Sequence, residues 1–263
     1  MGVPFKILTY NVHRGRSAIR RRDICESIAK ILDFSSADAV CLQEVWQDEG
    51  IDDHRLAPHL CDVRWPHRVF SKTVDLPGGL QGNAILSQRP VSEWAHFDVS
   101  VPHREPRGML HSVVQAPGAL PVTVFNVHLG LSRAERRAQV ELLVRFIDIQ
   151  TDPHAPLVIL GDFNDWRREL TPYFREELAV SEAIVERRGR HGATYPALLP
   201  VLSLDRIYYR NCRLLEARIV RERQCLRLSD HLPVEAVFEL PRGAPAAATG
   251  KLPGAPDGQV LNR

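Results

Sequence analysis

Asp230 and His231 stand at the mouth of "LSDHLPVEAVFEL", and the residues after them alternate like a strand. Val234, Ala236, Phe238 and Leu240 fall on one side, with Glu235 and Glu239 on the other. The same juxtaposition recurs along the chain. "FKILTYNV" closes on Asn11, "DAVCLQEV" on Glu44, "VTVFNVHLG" on Asn126 and His128, and "LVILGDFND" on Asp162, Asn164 and Asp165. "SLDRIYY" opens a strand at Asp205. Taken singly, each is an ordinary strand end, where Asp, Asn and Gly make turns. Taken together, apolar strands converge on carboxylates, amides and imidazoles, a set that can hold a hard cation through oxygen. Glu44, between "CLQ" and "VW", is a costly carboxylate unless a positive charge compensates it. Mg²⁺ would do so while keeping water and substrate phosphate in its shell. A His can act as a base near neutral pH, an Asp can orient it, and Asn and Asp can hold water. The chemistry indicated is metal-assisted hydrolysis.

The elements that must position these groups are set by periodicity. Strands are expected over 4–11, 38–45, 67–71, 83–87, 93–100, 109–115, 121–128, 156–161, 205–210, 214–221 and 233–240. "RDICESIAKILDF" places Ile24, Ile28, Ile31 and Leu32 on one helical face. "SRAERRAQVELLVRFIDI" begins with a capping box, Ser132 and Glu135, before a stripe of Val140, Leu143, Val144 and Ile147. "TPYFREEL" reads as a helix with Thr171 as cap and Pro172 in its first position. Many strands with helices interspersed singly indicate one α/β domain, with no internal repeat. That domain spans 1–241, and the Ala-, Gly- and Pro-rich 242–263 reads as a disordered tail.

Bulk properties exclude several classes. A net charge of +2 over 263 residues does not argue for broad coating of nucleic acid or membrane. The five cysteines are scattered with no C-x-x-C, against a zinc site or a disulfide framework, and Cys41 reads as a small core residue. "MGVPFKILTYNV" lacks the pattern of a signal peptide, and Lys6 stands where a myristoylation motif wants Ser or Thr. No apolar run is long enough to span a bilayer, so a cytoplasmic, monomeric protein is the expectation.

The motifs "TYNVHRG", "LQEV", "GNAILS", "NVHLG", "GDFND", "LDRIYY" and "SDHLPV", in that order from residue 9 to 234, resemble those of the endonuclease/exonuclease/phosphatase superfamily. These are the DNase I-like metal-dependent phosphoesterases, and the chain resembles their compact bacterial YbhP-like branch. The resemblance implies a four-layer α/β sandwich: two mixed β-sheets packed face to face, flanked by helices, with the site along the edge where their loops meet. It implies Mg²⁺, with Mn²⁺ as a substitute, bound by Glu44 with Asn11 beside it and Asp230 opposite. It casts Asp162 and Asn164 as positioning water and phosphate, and His128 as touching a phosphate oxygen. His231 would be general base or transition-state stabiliser, oriented by Asp205. The choice between His231 and Asp162 as base stays open.

Further residues could line the substrate cleft. Asn83 in "LQGNAILSQRP" is read as site floor or phosphate contact, with a turn after Gly82 as the plain alternative. Arg107 in "HREPRGMLH" could hold a phosphate bidentately beside Gly108. His13 is ambiguous, Trp166 is read as packing, His103 and His111 as structural or exposed, and Asp165 as loop support. "RGRSAIRRR" (14–22) flanks the cleft or begins a solvated helix. His13 stands where AP endonucleases carry Asp, and Arg206 follows Asp205 where they have Arg before it; both weigh against an abasic-site enzyme. The Asp-Arg-Ile order is similar to that of inositol-polyphosphate 5-phosphatases and some sphingomyelinase-like members, without their Trp-Cys. The expected function is thus a phosphodiesterase with nuclease activity. The alternative is a phosphatase or phosphodiesterase on lipid headgroups or small molecules, and the remote one a non-catalytic binding module.

Overall fold

The computed structural model describes residues 2–15, 32, 35–48, 65–223, 225–243 and 260–261. The helix expected over 22–34 lies outside these except for Leu32, as does most of "RGRSAIRRR". The expected tail also lies outside them, except for residues 242–243 and for Val260–Leu261, which pairs in parallel with His96–Phe97.

Among the described residues, thirteen strands form two sheets. The first contains β1 (Val3–Asn11), β2 (Ala39–Asp48), β3 (His67–Leu76), β4 (Gly79–Ser87), β11 (Arg213–Ile219) and β12 (Val234–Leu240). Their order is β11-β12-β1-β2-β4-β3. The second contains β5 (Val91–Asp98), β6 (Gly108–Val114), β7 (Val122–His128), β8 (Leu157–Asp162), β9 (Ser181–Glu182), β10 (Asp205–Arg210) and β13 (Val260–Leu261). Its order is β13-β5-β6-β7-β8-β10-β9. Each sheet has one parallel pair near its middle, β1 with β2 and β7 with β8. Both faces of such pairs are buried, which explains their nearly continuous apolar sequences. The expected two-sheet sandwich is therefore observed.

Alternation decides what faces what. Phe5 and Ile7 of β1, Val122 and Val124 of β7, and Val158 and Leu160 of β8 form the core between the sheets. Leu8, Tyr10, Val40 and Leu42 cover the outer face of the first sheet. Phe125, Val127, Leu157 and Ile159 cover that of the second, under α1 (Arg133–Gln150) and α2 (Leu170–Leu178). α1 has the expected capping box, and Val140, Leu143 and Ile147 are buried. α2 departs from expectation. It starts before Thr171, whose hydroxyl instead meets the Tyr208 hydroxyl at 2.9 Å. Its first amides, of Glu169 and Leu170, donate to the Asp165 carboxylate. Two short helices, α3 (Ala183–Arg188) and α4 (Cys225–Leu228), and a 3-10 turn at His13–Gly15 complete the described elements. β3 and β4 run further than expected, because "DLPGGL" is only the tip of a long hairpin turning at Gly78, φ 84°. Among the described cysteines, Cys41, Cys212 and Cys225 are free, and Cys41 is a buried core residue. No described helix is long and apolar enough to cross a membrane.

Candidate active site

Following the inter-sheet rows toward the carboxyl ends of the two parallel pairs, apolar residues give way to polar ones. Phe5 and Ile7 lead to Thr9 and Asn11, Val122 and Val124 to Asn126 and His128, and Val158 and Leu160 to Asp162. The first polar layer is structural. The Gln43 amide donates to Asn126 Oδ1 at 2.7 Å, and the Asn126 amide donates to the carbonyls of Leu42 and Ala84 at 2.9 Å each. Asn126, which the sequence places among the catalytic-looking strand ends, thus pins one sheet to the other.

The second layer carries the chemistry. Asn11 Nδ2 donates to Asp162 Oδ2 at 3.1 Å and to Glu44 Oε1 at 3.2 Å, bridging the sheets. Glu44 does not end its strand as expected. β2 continues to Asp48 through a bulge between Leu42 and Val45, and Glu44 has φ 54°. Strict alternation would send Glu44 outward with Val40 and Leu42; the bulge turns it toward Asn11. His128 Nε2 lies 3.7 Å from Asp162 Oδ2 and 4.0 Å from Glu44 Oε1. His231 Nε2 is also 3.7 Å from Asp162 Oδ2, and its Nδ1 is hydrogen-bonded to Asp205 Oδ2 at 2.8 Å. Asp162 Oδ2 is therefore faced by both imidazoles. Asn164, at φ 49°, donates its backbone N–H to Asp162 Oδ1 and its amide to the Leu129 carbonyl. Asp230 pairs with His13 Nδ1 at 3.2 Å.

Three supporting residues escaped the sequence reading. The Thr194 hydroxyl donates to Asp205 Oδ2 at 2.6 Å and accepts the Asp205 amide, fixing the carboxylate against the imidazole. The Ser229 hydroxyl donates to the Asn11 carbonyl at 2.7 Å and accepts the His231 amide, tying the His231 segment to the end of β1. Tyr195 lies against the His231 ring at 5.0 Å. Ser229 was visible as the first letter of "SDH". Thr194 and Tyr195 sit in an aperiodic loop that carries no local signal.

The second-rank residues divide. Asn83 is inside β4, not in a turn, and donates to the Gly108 carbonyl at 2.8 Å, bracing the start of β6. Arg107 is buried next to that strand start; its Nη2 pairs with Glu105, while Nε has no partner. Asp165 is fully buried and holds Arg206 at 2.9 Å besides capping α2, so it supports the loop as expected. Arg206 points away from the site, one step out of phase with Asp205. His111 is buried against Phe125, and burial lowers its pKa to about 4. His103 is exposed. Trp166 corrects the expectation of packing: it is 41% exposed, with the Arg136 guanidinium 4.8 Å above its ring.

Electrostatics set the protonation states. Burial opposes charge on His231, but Asp205 and Asp162 outweigh it and raise its pKa to about 10. Burial, reinforced by Asp205, raises Asp162 to about 6 against the pull of His231. Burial, then Arg107 and His231, hold His128 well below the usual imidazole range, so it is neutral. Burial pushes Asp230 up, but His13 and His231 together outweigh it and lower its pKa.

The donor set suits a hard divalent cation. Glu44, Asp162, Asp205 and Asp230 bring four carboxylates together with a neutral His128, leaving negative charge that His231 and His13 only partly offset. Asp162, Asp205 and His231 have ligand atoms within 4.8 Å of one another. Two of those three are already joined as a hydrogen-bonded dyad, which an ion there would break. Glu44, on the open side of Asn11, is the better anchor. Asn11 itself, expected as a ligand, turns its amide nitrogen toward the carboxylates and its oxygen toward the His13 amide, so it acts as a strut in this structure.

The fold and site define a class: two stacked β-sheets that gather carboxylates and imidazoles at their strand ends. Residues 8–231 match the endonuclease/exonuclease/phosphatase family, and the chain belongs to it. It is 34% identical over 245 residues to the uncharacterized protein YbhP of Escherichia coli strain K12, covering 90% of this chain and 96% of that one. An exodeoxyribonuclease of Bacillus subtilis strain 168 is 25% identical over 168 residues, 63% of this chain and 60% of that one. The crystal structure of an endonuclease/exonuclease/phosphatase from Beutenbergia cavernae superposes with a TM-score of 0.73 at 20% identity, covering 93% of this chain and 73% of that one. Members of the family are nucleases and phosphatases that hydrolyse phosphoester bonds, generally with divalent metals.

Proposed function

We propose that this protein is a Mg²⁺- or Mn²⁺-dependent phosphodiesterase that cleaves by direct attack of water, with 1–241 as the catalytic domain. The observation that carries the reading is the line Asp205–His231–Asp162–Asn11–Glu44, a cationic donor and a carboxylate acceptor facing one another beside a cation-binding glutamate. A hard divalent ion held by Glu44, with Asp230 across the cleft, would neutralise the phosphate oxygens and lower the pKa of a bound water. His231, held protonated, donates to the charge that builds on the phosphorane oxygens. Asp162 is the acceptor for the water proton, oriented by Asn11 and by the Asn164 amide. Its pKa near 6 suits a base at neutral pH, whereas His231 at about 10 has no free lone pair there. His128, neutral, offers a hydrogen bond to the same phosphate, and Arg107 is the further cation on that flank. Asp205 and Thr194 position His231 and touch no substrate.

The B. subtilis relative's name supports a polynucleotide as one diester substrate. The reading is tested with purified protein and Mg²⁺ or Mn²⁺ on bis-p-nitrophenyl phosphate, with p-nitrophenyl phosphate alongside. Diester turnover is expected, lost in His231→Ala by about 10²–10⁴-fold and made metal-insensitive and weak in Glu44→Gln. Turnover of the monoester alone would make it a phosphatase; unchanged turnover in Glu44→Gln would sink the metal assignment.

A further inference from the structure

The loops that carry the catalytic groups expose large apolar side chains. Among the described residues, six large hydrophobic side chains are exposed, Leu131, Ile149, Trp166, Leu198, Leu199 and Val201. All but Ile149 lie on loops that touch the catalytic groups. Leu131 and Trp166 follow the strand ends carrying His128 and Asp162, and Arg136 joins them, bonded to the Leu131 carbonyl and stacked on the Trp166 ring. Leu198, Leu199 and Val201, exposed by 58%, 74% and 66%, form the tip of the loop whose base holds Asp205 through Thr194 and His231 through Tyr195. Buried Arg206 bonds both the Asp165 and the Ser203 carbonyls and so ties the bases of these two loops together. Scattered surface leucines need no explanation, but several of them on the loops that carry a site do.

The charge around these loops identifies their counterpart. Arg167, Arg168 and Arg190 are exposed on the same loops, and Arg133 and Arg137, paired with Glu169 and Glu141, are exposed at the start of α1. Apolar tips flanked by arginines match an anionic lipid surface, where side chains enter the acyl boundary while guanidinium groups stay among the phosphates. A polynucleotide offers phosphates to the arginines but nothing to Leu198, Leu199 and Val201. A protein seated on these loops would cover the cleft. Resting on the phosphodiesterase reading, we propose that this rim docks on anionic bilayers and that the diester cleaved belongs to a lipid headgroup. Water adds to phosphorus, one P–O ester bond breaks, the departing alcohol takes a proton, and a phosphomonoester remains.

The test is co-sedimentation of the full chain with equimolar phosphatidylglycerol/phosphatidylcholine vesicles and with phosphatidylcholine alone, alongside turnover of bis-p-nitrophenyl phosphate in solution. The expected result is salt-sensitive binding to the anionic vesicles only. Leu198→Ser with Leu199→Ser should weaken it by at least about tenfold, since each buried methylene contributes substantially, while soluble turnover is unchanged. Failure of the wild-type chain to sediment, with soluble turnover intact, overturns the docking and leaves the phosphodiesterase. Vesicle binding without any diester turnover keeps the docking and removes the catalytic reading beneath it. Weakened binding of a single-stranded oligonucleotide in the same double variant, with vesicle binding unaltered, makes the rim a nucleic-acid surface and overturns the proposal.

Discussion

Asp162 and His231 share a narrow electrostatic problem. Each is buried, and the charge on each depends on the other and on Asp205 beside them. His231 has its pKa raised from 6.5 to about 10 in the fold, so its protonated form contributes stability fully below about 6.5 and loses it as pH rises through about 10. Asp162 is raised from 3.8 to about 6, so the fold favours its protonated form and that contribution is lost by about pH 6. With a protonated donor and an ionised acceptor both required, kcat/KM should rise through about pH 6 and fall through about pH 10. These limbs belong to the pair as a unit. Asp205→Asn removes the leading electrostatic support of the imidazolium. It should move the basic limb to lower pH and cut kcat by about 10²-fold or more, with KM little changed. A pH profile of the variant checks this; an unmoved limb would make Asp205 a packing residue.

At the scale of elements, the site depends on how closely β7 and β8 approach. They are parallel neighbours whose last residues, His128 and Asp162, lie side by side. Just before them Gly161, at φ 139°, pairs with Val127, and a Cβ there would come within 1.9 Å of the Val127 carbonyl oxygen. Gly161→Ala should therefore force the strands apart and cost about 2–3 kcal/mol or more. Activity should fall further than stability alone accounts for, because His128 and Asp162 separate. Urea unfolding with a turnover assay under conditions where the variant is still folded separates the two effects. The bulge at Glu44 is the second local device. Periodicity places Glu44 at the right height in β2 but on the wrong face, and only the pairing with β4 shows the extra residue that turns it.

Across the whole molecule, the site exists only when both sheets are in contact. Asn11 and Glu44 come from the first sheet, His128, Asp162 and Asp205 from the second, and the Asn11–Asp162 contact joins residues 151 apart. Asn126 is the buried pin beneath it, bonded to three groups of the other sheet. Asn126→Ala would remove one partner of the Gln43 amide and the side-chain donor to two buried carbonyls, and should cost about 2–4 kcal/mol. Because the pin is remote from substrate, the variant should lose thermal stability first and keep its pH profile, which a scanning unfolding experiment and rate measurements can compare.

The sequence alone determined the rows. Strand alternation is a local steric property, so Asn11, Asn126, His128, Asp162 and Asp205 could be assigned to strand ends, and their order along the chain indicated a phosphoesterase family. α1 was legible for the same reason, through its cap and stripe. The tertiary structure decided which of those polar residues meet. It separated Asn126 as an inter-sheet pin from His128 two positions on, turned Arg206 away from Asp205, and brought Thr194 to Asp205, Tyr195 to the imidazole and Ser229 to the His231 backbone from segments without periodicity. Those outcomes depend on long-range pairing and on the stacking of two sheets, which no run of neighbouring residues encodes.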